Sequence, residues 1–361
     1  MECEQATRAF LLGQCARYTD LQPQDLLKGL HQSVFGCGHF VTDEETGVRF
    51  LRQEMRDARP APGPAIELLD GDFCRIHLAW ARARGLAPET LFRLFALSAQ
   101  EVYGTEEDRK AILEEKLAVL LAMAREGKLP FSAEAVESAV AEFRAADYPA
   151  CHHSEPMRQL WAPAYRVIHQ DHLRLLHILA DIDRRRARKT RLVVALEGGS
   201  ASGKSTLAAL LEKVYDCTVF HMDDFFLRPE QRTEERLAEV GGNIDYERFA
   251  AEVVDPLLAG KPVQYRRYDC ATQTLEEARE IVPKALVFVE GAYSMHSALG
   301  EYYDMSVFLD ISTELQCARI EARNTPEMQE RFFSTWIPME QAYFAAANPK
   351  GRSDLVVEVK P

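Results

Sequence analysis

Apolar residues follow two different patterns along the chain, and the pattern changes near residue 190. In the first half they recur every three or four positions, which predicts amphipathic helices over 88–104, 109–129 and 132–149. The second half contains short runs of β-branched and aromatic residues, at 191–197, 218–224, 285–291, 305–311 and 354–359. Helical stretches separate these runs, at 203–213, 246–258 and 312–323. Strands alternating with helices predict an α/β domain with a parallel five-stranded sheet flanked by helices.

The first half contains no strand-like run of convincing length, so we expect an all-α domain over residues 1–185. Gly127 follows the second helix as a C-cap, and Ser132 precedes the third as an N-cap. The arginine-rich tract 181–191 is typical of a solvated helix C-terminus followed by a linker, with a contact to bound phosphate as the alternative. The sequence therefore predicts two domains, 1–185 and 190–361.

Composition and charge narrow the class of protein. The 361 residues are 47% hydrophobic and 27% charged, which is typical of a globular chain with two or three domains. The formal net charge of −13 argues against non-specific nucleic-acid binding, although a local pocket can still be positive. Eight cysteines without a CxxC pair, an acidic N-terminus and no run of about 20 apolar residues predict a reduced, cytoplasmic protein without a membrane partner.

One short stretch differs from the rest by its glycine, serine and lysine content. The sequence EGGSASGKST follows the apolar run LVVAL, and from Gly198 to Ser205 it matches the pattern G-x-x-x-x-G-K-[ST]. With a strand before and a helix after, this is a P-loop, whose N–H groups wrap a β-phosphate while Lys204 reaches the β- and γ-oxygens. The Ser205 hydroxyl would ligate Mg²⁺. The predicted nucleotide-binding residues are Gly198, Gly199, Ser200, Ala201, Ser202, Gly203, Lys204, Ser205 and Thr206.

Two features indicate which class of nucleoside triphosphate protein this is. A GTPase would carry an NKxD-type segment, and the sequence has none. In motor and transporter ATPases the Walker-B strand usually ends in two adjacent acids. The corresponding run here, ALVFVEG, ends in the single Glu290. A lone carboxylate suits a small-molecule kinase, in which Glu290 would orient Mg²⁺-bound water.

Four motifs in the second half occur in a familiar order. EGGSASGKST, HMDDFFL, VEGAY and DMSVFLDISTELQCARIEAR together resemble the uridine kinase family and, more broadly, the P-loop kinases of nucleosides, phosphoribulose and pantothenate. The resemblance covers about residues 190–361. It implies ATP- and Mg²⁺-dependent phosphoryl transfer to a hydroxyl group of a small molecule.

The resemblance also implies catalytic roles. The acid that ends the second strand falls on Asp223, the candidate base for the acceptor hydroxyl, and Lys204 and Arg323 are the other catalytic candidates. Asp224 is the neighbouring alternative to Asp223. Successive strand residues point to opposite faces, so only one of the two acids can face the phosphate. In a third interpretation, both acids are solvated loop residues without a catalytic role.

The acceptor site departs from the family pattern. The resemblance places a sugar-binding acid at Asp245, with capping of the following helix as the alternative, and an acceptor-lining tyrosine at Tyr268. No histidine lies in 261–280, where the family has one to read the base. Arg266 and Arg267 stand nearby instead. Paired arginines suit a carboxylate or phosphate, so the acceptor is either a nucleoside or an anionic small molecule, unless the two are plain surface charge.

A lid is expected after the fourth strand. Arg319 and Arg323 lie four residues apart on one helical face, and Arg331 follows. The resemblance implies that such arginines close over the triphosphate, so Arg319 is assigned to the nucleotide and Arg323 to catalysis. A solvated helix with ion pairs to acids such as Glu314 is the alternative.

Two stretches of the N-terminal half are unusual, 31–51 and 147–172, because both concentrate His, Cys, Gly and aromatic residues. If they meet in space, their side chains could form a tetrahedral metal site. A structural or substrate-lining role is the alternative. The candidate ligands are Cys37, His39, Cys151, His152 and His153.

The sequence thus predicts an ATP- and Mg²⁺-dependent kinase of uridine kinase type that follows a helical domain of unknown purpose. A second hypothesis is a nucleotide-gated interaction module, in which the P-loop domain binds ATP with little phosphoryl transfer and the helical half engages a protein. The expected partner of the kinase is a small-molecule hydroxyl acceptor, not nucleic acid or a membrane. The residues leave open whether the chain forms a homo-oligomer.

Overall fold

The computed structural model describes residues 2–37, 43–60, 62–101 and 104–360. The chain divides into two compact units, Met1–Arg184 and Arg185–Pro361. Within the described ranges, every helix is too short or too polar to span a bilayer.

The N-terminal unit is built mainly from helices, as the spacing of apolar residues predicts. Its hydrophobic core brings α1 and α2 against α6 and α7, through leucines such as Leu11, Leu30 and Leu117 that have no exposed surface. The helices are α1 (Glu2–Arg17), α2 (Pro23–Phe35), α3 (Glu44–Asp57), α4 (Leu78–Arg84), α5 (Pro88–Gln100), α6 (Glu106–Arg125), α7 (Ala133–Ala145), α8 (Glu155–Trp161) and α9 (Leu176–Arg186). The predicted cap at Ser132 is confirmed, because its side chain accepts a hydrogen bond from the N–H of Ala135.

The expectation that this unit is entirely α-helical needs a correction. Three strands, β1 (Ile66–Leu68), β2 (Phe73–His77) and β3 (Tyr165–His169), form an antiparallel sheet in the order β1-β2-β3. The central strand FCRIH is fully buried although it contains Arg75 and His77, so it lacks an apolar pattern. Its partner β3 lies about ninety positions away, which local periodicity cannot reveal.

The C-terminal unit contains the predicted parallel sheet. All five predicted strands are present: β4 (Leu192–Gly198), β5 (Thr218–His221), β10 (Leu286–Glu290), β11 (Met305–Asp310) and β12 (Leu355–Glu358). They lie in the order β12-β11-β4-β10-β5, and each neighbouring pair is parallel. The central strand β4 is buried along its whole length. Because the strands are parallel, the carboxyl ends of β4, β10 and β5 meet at one edge, and the loops that follow them lie together.

The remaining elements of this unit cover and border the sheet. The helices are α10 (Lys204–Val214), α11 (Glu234–Ala238), α12 (Tyr246–Phe249), α13 (Asp255–Leu258), α14 (Thr313–Arg323), α15 (Pro326–Arg331), α16 (Ile337–Ala347) and α17 (Pro349–Arg352). Two short antiparallel pairs join β6 (Val263–Tyr265) to β9 (Arg279–Ile281) and β7 (Tyr268–Asp269) to β8 (Thr274–Leu275). The hydrophobic core of this unit is rich in aromatic residues, including Phe220, Phe225 and Phe249.

The basic tract 181–191 ends α9 and leads into β4, as the linker interpretation predicts. Arg185 forms an ion pair with Asp354, and Lys189 forms one with Asp304. These two cations are therefore paired with carboxylates rather than with a phosphate site.

Candidate active site

The loop between β4 and α10 has the backbone conformation of a phosphate-binding loop. Gly198 and Gly203 have φ of +146° and +95°, and Ala201 between them is left-handed at +60°. A Cβ at position 198 would lie 2.7 Å from the carbonyl oxygen of Leu309, so only glycine fits there. Residues in such conformations turn neighbouring N–H groups to one concave face, and the N-terminus of α10 adds its dipole. The residues assigned to the nucleotide, 198–206, form this loop and the first turn of α10.

Two side chains of the loop suit an anionic ligand. Lys204 opens α10 with a buried side chain, and its Nζ donates a hydrogen bond to the carbonyl oxygen of Gly199 at 2.9 Å. The Ser202 hydroxyl is buried and has no hydrogen-bond partner among the described residues. A buried cation and an unpaired hydroxyl beside a concave row of N–H groups fit a phosphate chain.

A buried carboxyl group supports the base of the loop. Glu197 accepts hydrogen bonds from the N–H groups of Gly198, Tyr293 and Met295, at 2.9, 3.1 and 3.0 Å. The hydroxyl of Tyr343 on α16 donates to the same carboxyl group at 3.0 Å. Burial raises the pKa of Glu197 to about 7, although these N–H donors act in the opposite direction. Glu197 was not predicted as a site residue, because its only signal in the sequence is an acid that ends an apolar run.

A second carboxyl group, also missed, contacts the loop itself. Glu340 on α16 accepts hydrogen bonds from the N–H of Ser200, at 3.1 and 3.0 Å, and from the Ser200 hydroxyl. It is 4% exposed, and burial raises its pKa against the effect of the Ser200 donors. The donors that Glu340 occupies belong to the loop assigned to phosphate. No local sequence signal reveals the contact, because the two residues are 140 positions apart.

The two predicted metal-binding residues lie together. The Ser205 hydroxyl donates to Glu290 Oε1 at 3.1 Å, and His221 Nδ1 lies 2.6 Å from the same oxygen. Glu290 and His221 are opposite each other in the register of β10 and β5. The carboxylate raises the pKa of His221. The described residues contain no cluster of three acidic, His or Cys side chains placed to hold a metal, but Mg²⁺ bound to phosphates needs only one or two protein ligands.

Asp223 and Asp224 lie in a turn of 3-10 helix, Met222–Phe225, rather than on the strand itself. Asp224 is buried, with Oδ1 at 3.1 Å from Arg267 Nε and Oδ2 accepting from the Tyr265 hydroxyl at 3.2 Å. The Asp223 side chain is exposed to solvent, yet protein atoms surround it and raise its pKa, while Lys204 acts in the opposite direction. Of the two acids, Asp223 is therefore the one available to a ligand.

The structure places the predicted acceptor residues in different environments. Asp245 caps α12 by accepting from the N–H of Arg248 at 3.1 Å, and its other oxygen accepts from Gln231 Nε2 at 2.9 Å. This geometry matches the capping alternative. The buried Tyr268 hydroxyl accepts a hydrogen bond from Arg232 Nη2 at 2.8 Å.

The two arginines that precede Tyr268 also differ from each other. Arg266 forms an ion pair with Glu252 at 3.2 Å, which matches the surface-charge alternative. Arg267 is paired with Asp224, the direct neighbour of Asp223, and its side chain is 54% exposed. The structure thus brings Arg267, but not Arg266, to the candidate base.

Helix α14 contacts the P-loop through residues that only partly match the prediction. Arg319 Nη1 donates to the carbonyl oxygen of Ala201 at 3.2 Å, and Gln316 Nε2 donates to that of Ser200 at 2.9 Å. Gln316 was not predicted from the sequence. Arg323 is exposed, and its guanidinium lies 5.9 Å from the centre of the Phe332 ring. The structure therefore places Arg319 at the loop, whereas Arg323 packs on Phe332 and Arg331 is exposed.

The unusual stretches of the N-terminal half do meet in space. Cys37, Cys151, His152 and His153 line one cavity of about 990 Å³, while His39 falls outside the described residues. Both ring nitrogens of His153 are already in hydrogen bonds, with Asp25 and with Tyr165. The described residues contain no cluster of three His, Cys or acidic side chains that could hold a metal ion.

Comparisons with known proteins agree with the resemblance seen in the motifs. Residues 193–335 match the family model described as the phosphoribulokinase / uridine kinase family, so the predicted resemblance is confirmed for that part of the chain. The chain is 28% identical over 149 residues to a mouse protein named uridine-cytidine kinase-like 1, which is 38% of this chain and 27% of that protein. It is 23% identical over 138 residues to uridine kinase of Haemophilus ducreyi, which is 34% of this chain and 63% of that protein. The matches thus span less than two thirds of either relative.

Solved structures with similar chains include two kinases. A possible uridine kinase from Bacillus stearothermophilus is 22% identical, with a TM-score of 0.37, and the alignment covers 49% of this chain and 96% of that one. Shikimate kinase from Acinetobacter baumannii in complex with shikimate is 18% identical, with a TM-score of 0.28 and coverage of 49% and 88%.

Proposed function

We propose that the C-terminal unit transfers the terminal phosphoryl group of ATP to a hydroxyl group of a small molecule in a Mg²⁺-dependent reaction. One observation carries this proposal: the P-loop at the end of the central strand, with Lys204, Ser205, Glu290 and Asp223 collected at the same edge of the sheet. The match of residues 193–335 to a kinase family supports it.

The loop residues would bind and orient the triphosphate. The N–H groups of 199–204 would hold the β-phosphate, and the Lys204 ammonium would turn from Gly199 to the β- and γ-oxygens. Ser205 and Glu290 are the residues that would hold Mg²⁺, directly or through water, and the ion would supply neutralisation of phosphate charge. Arg319, already at the loop, would add positive charge beside the phosphates.

Asp223 would orient the acceptor hydroxyl and receive its proton. Its carboxyl group is accessible, and a raised pKa makes it a stronger base than an ordinary aspartate. Asp224 is unsuited to this role because Arg267 and Tyr265 already occupy both of its oxygens. Phosphoryl transfer depends mainly on positioning and charge, so a carboxylate is sufficient as the base.

The acceptor we favour is a small molecule that carries an anionic group in addition to the hydroxyl. Arg267 Nε lies 3.1 Å from Asp224 Oδ1, and the half-exposed guanidinium has further N–H donors that an anionic group could use. A nucleoside, which the names of the relatives suggest, is the acceptor to test against it.

The test measures ADP release with ATP and Mg²⁺ in the presence of nucleosides, sugar phosphates and hydroxy acids. We expect one acceptor class to stimulate release, and Lys204→Ala to lower that rate by about 100-fold or more. Lys213→Ala, on the exposed end of the same helix α10, is the matched control and should keep the wild-type rate. Release that no acceptor stimulates would favour the nucleotide-gated module, and a wild-type rate in Lys204→Ala would refute the assignment.

A further inference from the structure

The cavity of the N-terminal unit has the size and the wall of a small-molecule site. Its volume of about 990 Å³ lies at the upper end of the range for such sites, and all of its lining residues lie between Lys28 and Val167. Helices α2, α3 and α5 and strand β3 contribute to the wall, together with the segment 150–164. Nothing in the proposed kinase activity uses this cavity.

The wall carries more positive than negative charge, in a chain whose net charge is −13. The four cationic lining residues are Lys28, Arg59, Arg158 and Arg166, and the two anionic ones are Glu54 and Asp57. Two of the four cations are neutralised, because Arg158 pairs with Glu155 and Arg166 pairs with Glu54.

Lys28 and Arg59 are the two cationic lining residues without an ion pair among the described residues, and Lys28 is the one that is partly buried. Its Nζ donates to the carbonyl oxygen of Cys151 at 2.6 Å, and it forms no ion pair among the described residues. Burial lowers its pKa, although Coulombic attraction to Asp25 acts in the opposite direction. Asp25 forms no ion pair with Lys28, and its oxygens accept hydrogen bonds from Gln22, Ser154 and His153 instead. An anion in the cavity would supply the missing partner.

A chain of hydrogen bonds fixes one hydroxyl group in the wall. Asp25 Oδ1 lies 2.9 Å from His153 Nδ1, and His153 Nε2 lies 2.6 Å from the Tyr165 hydroxyl. Burial alone would raise the pKa of Asp25, but hydrogen bonds from His153 and Ser154 lower it to about 2. Burial lowers the pKa of His153. A carboxylate facing a neutral imidazole sets the tautomer: Nδ1–H donates to Asp25, and Nε2 accepts from Tyr165.

Aromatic side chains complete the wall. Phe50 on α3 is 59% exposed, and Phe92 and Phe95 line the same cavity. The guanidinium of Arg75 packs 4.7 Å from the centre of the Tyr165 ring, which holds that ring from behind. A flat ring would find apolar contact here.

We propose that this cavity binds a small organic anion with a planar ring. Lys28 pairs with its phosphate or carboxylate group, Phe50 contacts the ring, and the Tyr165 hydroxyl, oriented by His153 and Asp25, makes a hydrogen bond to a polar substituent. The proposal does not depend on kinase activity in the other unit.

Isothermal titration calorimetry of the full chain tests the proposal with phenyl phosphate, benzoate and inorganic phosphate. We expect saturable binding of at least one ring-bearing probe, and the stronger of the two identifies the anionic group. Lys28→Met should weaken that binding by about tenfold or more, and Tyr165→Phe by about threefold. Lys128→Met, an exposed lysine of the same unit outside the cavity, should leave the affinity unchanged.

Three outcomes would overturn the proposal. They are absence of saturable binding of both ring-bearing probes, wild-type affinity in Lys28→Met, and a loss of binding in Lys204→Ala, which would place the probe in the P-loop. Inorganic phosphate that binds as tightly as phenyl phosphate would overturn the recognition of a ring. Alkylation of Cys151, which lines the cavity, gives a readout on the wild-type chain: the bound probe should slow it at least about threefold, and an unchanged rate counts against the site.

Discussion

Contacts of single residues distinguish the two acids at the sheet edge, and they underlie the proposal that Asp223 is the base. Asp223 is accessible and unpaired with arginine, whereas Asp224 is buried and holds Arg267 and Tyr265. We therefore expect Asp223→Asn to lower kcat by about 10²- to 10⁴-fold, with nucleotide affinity and melting temperature close to wild type. Asp224→Asn should instead lower the melting temperature, because it weakens the contacts of a buried carboxyl group with Arg267 and Tyr265. Steady-state kinetics and thermal unfolding of both variants distinguish the roles, and the reverse pattern would assign the base to Asp224.

Glu197 makes the stability of the C-terminal unit depend on pH. Its pKa of about 7 in the folded chain is above the ordinary glutamate value, so folding binds a proton between those two pH values. The stabilisation is present below about pH 4.5 and is lost as pH rises through 7, to a limit of about 3 kcal/mol. Glu197→Gln removes this dependence. Urea unfolding at pH 5 and pH 7.5 should show the variant gaining stability relative to wild type at the higher pH, and a constant difference would contradict the raised pKa.

Some site residues could be predicted from the sequence and others could not, and the reasons are physical. Glu290 and Ser205 could be paired in advance because each belongs to a motif at the carboxyl end of a parallel strand, and such ends share one edge. Gln316 and Glu340 could not, because their contacts with Ser200 cross 116 and 140 positions without a local motif. Asp245 shows the limit of a motif, since the same acid that could bind a sugar also suits a helix cap.

At the level of elements, the junction of β4 with the P-loop tolerates little change. A Cβ at Gly198 would meet the carbonyl oxygen of Leu309, in a backbone conformation that other residues avoid. Gly198→Ala should therefore lower the free energy of unfolding by about 2–4 kcal/mol and abolish nucleotide binding.

Gly300 offers a matched control for this substitution. It also has a positive φ, +67°, but a Cβ there would meet nothing within 4 Å. Gly300→Ala should cost only about 1 kcal/mol. Denaturant unfolding and nucleotide titration compare the two, and equal losses would show that the clash with Leu309 does not matter.

Elements were predictable where their sequence pattern was local. Each strand of the five-stranded sheet is a short apolar run, and β4 and β10 are buried along their whole length, so all five could be predicted from the sequence. The sheet of the N-terminal unit was missed because β1 has only three residues and β2 buries Arg75 in an ion pair with Glu67. From the sequence alone, an arginine in a short segment is taken for a surface residue, although in the fold Glu67 neutralises Arg75.

On the scale of the whole molecule, each unit has a hydrophobic core of its own. We therefore expect the isolated segment 185–361 to fold cooperatively and to bind ATP within about threefold of the affinity of the full chain. Circular dichroism during thermal unfolding and calorimetric titration measure the two properties. A segment that stays unfolded would show that the second core depends on residues 1–184.

The contact between Glu340 and Ser200 has a consequence for the heat of ATP association. Two anions cannot accept from the same N–H group, so a phosphate that uses Ser200 must expel the Glu340 carboxyl group from its buried position. Once hydrated, that group returns to its ordinary acidity and gives up any proton that burial helped it keep. The enthalpy of association should then change with the ionisation enthalpy of the buffer, and Glu340→Gln should remove most of that change.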